Sequence, residues 1–361
     1  MSVAWLLCLA LALPQAADEA VRARVATWRE LVELDLAARV LEEGPALLAG
    51  DGAVSRDGEA AFVVAGALFD AGRAEQAAAL LDAAQPEGDG AAWIDLARAR
   101  LALERDELAR AIELAAVPGA TPPRARLERE AEAWLLLGRA LLRAGRDADA
   151  RGCLQRGYEL APLGPGAYGA LHALSQIALR AGDGEGAQQL VTRAQQTGQW
   201  RAYWRARRLQ VRETPDDPLP RLGLVQLWMQ VGRFEEALGE LDTLLERFPD
   251  YAPGWFHRGE AQRALGRAAE ARAAYDRALE LDASLALARF NRAVLALREG
   301  RTADARADLE TIVAGPQADD PKLLPAHLGL ARLQLAAGEA DAARARYARY
   351  TELGGREPLQ P

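Results

Sequence analysis

Large apolar residues and small residues return along this chain at a fixed interval, and the interval is that of a helical hairpin. In the clearest stretch, Trp134, Leu137, Gly138, Leu141, Gly145, Ala150, Leu154 and Pro162 take places 4, 7, 8, 11, 15, 20, 24 and 32 of a 34-residue frame starting at Ala131. The frame restarts at Pro218, with Trp228, Gly232, Ala237, Leu241 and Pro249 in register. It restarts at Ala252, with Trp255, Gly259, Gly266, Ala271, Tyr275 and Ala278. Starts at Ala286 (Gly300, Ala305, Leu309) and Leu324 (Ala331, Gly338, Ala343, Tyr347, Tyr350) follow. Places 1–14 and 18–31 each carry helical periodicity, with a glycine-containing turn between them, so each frame predicts two helices running antiparallel. β-branched residues are sparse and no segment alternates as a strand does, so the chain is expected to be all-α.

Fainter copies extend the array. Gly72, Ala77, Leu81 and Ala84 fit a frame starting at Gly58, and Gly182, Ala187, Val191 and Ala194 fit one starting at Tyr168. Trp93, Leu96, Ala97, Ala109 and Ala116 fit one starting at Gly90, where Glu104 replaces the turn glycine. The expectation is about eight units, with Val21 to Ala49 as a degenerate first hairpin. The frame slips at Pro118–Arg129, at Gly315–Pro325 and most of all between Gly182 and Gly232. The last slip leaves room for one extra helix near Gln199–Glu213, closed by Thr214-Pro215-Asp216-Asp217-Pro218. The expected organisation is therefore an apolar N-terminal segment at 1–17, an N-terminal sub-array at 18–198, a junction helix and linker at 199–217, a C-terminal sub-array at 218–353 and a flexible tail at 354–361.

These residues at these places resemble the tetratricopeptide repeat, whose signature is W-x2-L-G-x2-Y, then A-x3-F, then P over 34 residues. The resemblance implies a right-handed superhelical solenoid of stacked antiparallel helix pairs, because one hairpin cannot bury its apolar face alone. It implies a non-catalytic scaffold that holds a protein or peptide segment in a concave groove. Places 5, 9 and 12 share one arc of the first helix, and in the family this stripe, with places 2 and 13 beside it, lines that groove. The candidate groove residues are then Phe62, Leu135, Phe256 and Phe290 at place 5, Arg98, Arg139, Glu260 and Arg332 at place 9, Arg263 at place 12, and Arg143, Arg180 and Arg298 at place 13. They describe a partly basic, partly apolar surface suited to an acidic and apolar partner. The family's clamp for C-terminal carboxylates needs Lys and Asn at places 5 and 9; here Phe256 and Glu260 stand there, before Asn291 at place 6 of the next unit, so that clamp is not supported.

Composition changes this picture little. Of 361 residues half are hydrophobic but only 6% aromatic, since Ala and Leu carry the packing. The net charge of −8 argues against a general nucleic-acid binder. Lys322 is the only lysine and Asn291 the only asparagine, a coding bias of the kind GC-rich bacterial genomes show. Val3 to Leu13 is an apolar run too short to span a bilayer as a helix. It reads as a signal-peptide core, giving a periplasmic or secreted protein, or as an apolar cap on the array in a cytoplasmic one; left uncleaved, it would tether an envelope assembly factor. No integral membrane span is expected.

No chemistry is legible. His172, His257 and His327 lack metal-type partners at helical spacing, no serine sits in a nucleophile elbow, and Gly182-Asp183-Gly184-Glu185-Gly186 lacks the rest of a phosphate or calcium loop. The nearest acid–base candidate, Glu260 with His257 or Arg263, is poor, so catalytic, metal and cofactor residues are all expected to be none. Cys153 reads as a small buried hydrophobe. One segment departs from the background: Trp200 to Arg212 holds five arginines with Trp200, Tyr203 and Trp204. It reads either as a partner-binding helix or as the packed junction helix with its arginines in water.

Overall fold

The computed structural model describes residues 19–32, 34, 36–50, 57–84, 90–115 and 131–360. The apolar run Val3–Leu13 and the Thr121-Pro122-Pro123 slip lie outside them. The described residues hold helices and no strand: α1 (19–32), α2 (Ala37–Gly50), α3 (Gly58–Asp70), α4 (Ala74–Ala83), α5 (Gly90–Glu104), α6 (Leu108–Ala115), α7 (Ala131–Arg143), α8 (Asp147–Leu160), α9 (Ala167–Arg180) and α10 (Gly184–Glu213). Then come α11 (Pro218–Gln230), α12 (Phe234–Arg247), α13 (Ala252–Ala264), α14 (Ala268–Leu281), α15 (Ala286–Arg298), α16 (Thr302–Ala314), a 3-10 turn at Pro321–Leu323, α17 (Leu324–Ala336) and α18 (Ala340–Glu352). The chain divides into two compact units, Met1–Ala206 and Arg207–Pro361. Inside each, helices pack mainly on their neighbours in sequence, as stacked hairpins do.

The turns show why these sequences fold into pairs. From α3 onward, eight hairpins reverse through one residue with left-handed backbone: Gly72, Asp106, Gly145, Gly182, Gly232, Gly266, Gly300 and Gly338, with φ from 62° to 81°. The next N–H then donates to the carbonyl five residues back at 2.8–2.9 Å, as Arg233 does to Trp228 and Arg267 to Gln262, closing the end of the first helix. Asp106 corrects the expected register. The turn of the α5–α6 hairpin is not at Glu104 but two residues later, so its frame starts at Ala92. Place 20 then falls on Ala111, which is fully buried, rather than on Ala109, which is exposed. With that shift, all eight place-20 residues are alanines no more than 2% exposed.

Packing across each hairpin sets a large residue against a gap. At Gly138 an added Cβ would meet Leu154 at 2.7 Å, and at Gly259 it would overlap the Tyr275 ring. Both pairs join place 8 to place 24, so the small residue on the first helix exists to admit the large one on the second.

The junction differs from expectation. Residues 199–213 are not a separate helix; they continue α10, which runs unbroken for 30 residues. Its aromatic and basic side chains are engaged. Trp204 is 6% exposed, Arg201 donates to the Leu163 carbonyl at 2.6 Å and Arg205 to that of Leu34 at 3.3 Å. Past the unit boundary, Arg208 and Arg221 both meet the buried Glu240 carboxylate, at 3.1 and 2.8 Å. His327 is interior: it is 1% exposed, with Nε2 at 2.9 Å from the Ala318 carbonyl. Residues 354–360, expected to be a flexible tail, fold back over α17 and α18.

Candidate functional site

The residues that the resemblance assigns to a groove lie on first helices. Two facts decide what each can do: whether its side chain reaches solvent, and whether it already has a partner.

Place 5 is more interior than expected. Phe62 and Leu135 are 7% and 6% exposed, and Leu135 fills the space above Gly157, where a Cβ would stand 2.6 Å from it. The reason is angular. At 100° per residue, place 5 stands about 40° nearer the packed face than place 9 does. Phe256 and Phe290 are partly exposed.

The arginines of the first unit are largely occupied. Arg98 is not at place 9 once the register is corrected; its guanidinium donates to the Leu81 carbonyl at 3.0 Å. Arg100 takes the place instead, pairing with Asp70 at 2.5 Å and Glu132 at 3.8 Å and lying over the Phe69 ring. Arg143 donates to the Leu103 carbonyl at 2.8 Å and to Asp106 at 2.6 Å. Arg180 grips Asp147 with two hydrogen bonds, at 2.7 and 2.9 Å, which hold that carboxyl below its usual range. Place-13 arginines here thus reach back to the turn of the preceding hairpin and tie repeats together. Arg139 is exposed and makes no ion pair among the described residues.

The second unit presents a different surface. His257, at place 6 of α13, bridges neighbouring first helices: its Nδ1 lies 2.9 Å from Glu260 and its Nε2 3.4 Å from the Gln226 amide. A neutral ring with the proton on Nδ1 satisfies both, donating to the carboxylate and accepting from the amide. Beyond Glu260 lies Arg263, half-buried, with no ion pair among the described residues and its Nε buried without a hydrogen bond. Beneath it stands Tyr275, fully buried, whose hydroxyl makes no hydrogen bond of ordinary geometry although Arg263 and Asn291 are its polar neighbours. Burial pushes that phenol up to about 12. The ring of Phe256 packs 6.2 Å from Tyr275, centre to centre. Leu297 is 39% exposed, and Arg298 is exposed with no ion pair among the described residues. Arg332 is engaged by Glu357 at 3.4 Å and the Pro358 carbonyl at 3.3 Å.

The sequence reading had Phe256, Glu260, Arg263, Phe290 and Arg298 on this surface and weighed Asn291, but it missed Tyr275. A phenol at place 24, where Leu81, Leu154, Leu241 and Leu309 stand in other frames, is the signal that could have found it. The described residues contain no cluster of His, Cys, Asp or Glu able to hold a metal ion, and no described helix is long and apolar enough to cross a membrane.

Two stretches, 222–286 and 296–359, match family models described as tetratricopeptide repeat. No curated protein matches the chain. Similar solved structures include MamA from Desulfovibrio magneticus RS-1, 15% identical, covering 52% of this chain and 94% of that one with a TM-score of 0.34. A Pseudomonas aeruginosa pilF structure is 17% identical, covering 64% and 94%, with a TM-score of 0.35. A thermophilic tetratricopeptide-repeat protein of Thermus thermophilus is 24% identical, covering 57% and 99%, with a TM-score of 0.31.

Proposed function

The chain carries tetratricopeptide repeats, and from that premise we propose that it is a protein-interaction scaffold whose second unit binds an acidic and apolar peptide segment across α11, α13 and α15. One observation carries the reading. Arg263, Tyr275 and Asn291 form one polar cluster beside the partly exposed Phe256, and the half-buried Arg263 makes no ion pair among the described residues. A carboxylate on a partner would complete Arg263, and its apolar neighbours would rest on Phe256, Phe290 and Leu297. Arg298 adds a second positive charge at the edge. The first unit is the weaker candidate, because Arg100, Arg143 and Arg180 already hold acids of their own.

The test is peptide selection from a displayed random library with the full chain as bait. The wild type should enrich peptides bearing a carboxylate beside apolar residues. Arg263→Glu with Arg298→Glu should lose them while melting as the wild type does. Equal enrichment by both proteins, or none by either, would sink the proposal.

A further inference from the structure

The last hairpin carries a separate observation. After α18 the chain turns at Gly354, in left-handed backbone with φ 96°, and runs back over α17 and α18. Gly355 lies against the Tyr350 ring so closely that a Cβ would overlap it. Beyond, the backbone is read atom by atom. The Glu357 N–H donates to the Tyr350 hydroxyl at 3.2 Å, the Tyr347 hydroxyl donates to the Glu357 carbonyl at 3.1 Å, and Arg332 donates to the Pro358 carbonyl at 3.3 Å. One side chain is read as well, since Arg332 meets the Glu357 carboxylate at 3.4 Å.

We propose that Arg332, Tyr347 and Tyr350 form a peptide-docking surface, that residues 354–360 are its internal ligand, and that an extended Glu-Pro segment of another protein takes their place. Three of the four contacts involve main-chain atoms, so the surface reads an extended backbone and requires one carboxylate ahead of a proline. A proline suits the last position because no hydrogen bond needs its missing N–H. The Arg332 and Glu357 side chains are 40% and 69% exposed, so a competing segment can reach the pair that anchors the internal one. What favours the internal segment is its tether, which presents it at roughly millimolar effective concentration. The proposal extends the scaffold reading to a second surface, sharing none of the residues Arg263, Tyr275 and Asn291.

The experiment uses the full chain and a fluorescent synthetic peptide with the sequence of residues 353–361, followed by anisotropy. Glu357→Lys frees the surface from its internal ligand. That variant should bind the peptide at least about fivefold more tightly than the wild type does, as expected when a tethered competitor is removed. Adding Arg332→Glu should abolish binding, as should the same peptide with Lys in place of Glu. Arg263→Glu should leave the titration unchanged, so a failed library selection and a failed titration report on different surfaces. Identical binding to wild type and Glu357→Lys, or none to either, overturns the proposal. Melting curves of each variant confirm that the last hairpin stays folded. A large loss of stability in Glu357→Lys with no peptide binding would show that the segment is only a structural cover.

Discussion

Two side chains, Asp106 and Tyr275, depart from the pattern around them. Among the eight left-handed turns from α3 onward, Asp106 holds the one that is not glycine, at φ 62°, and its carboxylate receives Arg143 from the following hairpin. Aspartate tolerates left-handed backbone better than most residues. Asp106→Ala should therefore cost about 1 kcal/mol, through backbone strain and the lost pair, while Asp106→Gly should be near neutral as relief offsets loss; urea denaturation would measure both. Tyr275 was hidden from sequence reading, because a tyrosine at a core place looks like any large apolar residue. Only the fold shows that its buried hydroxyl sits against Arg263 and Asn291. Tyr275→Phe should keep or slightly raise stability yet weaken the proposed peptide binding. The sign of its pH effect follows from its raised pKa. The unfolded chain would ionise this phenol near pH 10 and the folded one near 12, so its contribution is intact below 10 and is lost as pH climbs towards 12. Over that window the wild type should lose stability relative to Tyr275→Phe, so the variant's advantage should grow.

At the scale of elements, the place-8 glycines set how closely paired helices approach. Gly259→Ala would drive a methyl into the Tyr275 ring and should cost about 1–3 kcal/mol. Gly239→Ala, on an exposed face of α12 where a Cβ meets nothing, should instead stabilise by about 0.5–1 kcal/mol, the ordinary helix penalty of glycine. Opposite signs for the same substitution would verify the packing; equal effects would refute it. The 30-residue α10 makes the complementary point. Its last turns are tied to α12 by Glu240, a buried carboxylate receiving Arg208 and Arg221. Glu240→Gln should cost about 3 kcal/mol, since it strips the charge that two half-buried guanidinium groups share, and hydrogen exchange should rise first in the last turns of α10.

At the scale of the whole molecule, each unit is a line of hairpins that touch mainly their neighbours. Damage should therefore spread by adjacency. In Gly259→Ala, exchange protection should fall in α14 and α15 before α18; a uniform fall would mean the unit melts as one block.

Much of this architecture was already in the sequence. Helix pairs, turn glycines and the buried alanines are local matters of spacing, and spacing survives in a string of letters: Ala271, Gly266 and Tyr275 could be placed before any coordinates existed. The Asp106 turn was misplaced by two residues because a left-handed aspartate carries no mark distinguishing it from nearby polar residues. The continuity of α10 was missed because a slip in the repeat reads the same whether the chain breaks or runs on. The groove arginines show the limit most clearly. Sequence gives their place on a helix, but a guanidinium reaches several ångströms beyond its own backbone. Whether Arg143 faces a partner or clasps Asp106, and whether Arg263 stands unpaired above Tyr275, depends on which acids neighbouring hairpins bring within reach, and packing alone decides that.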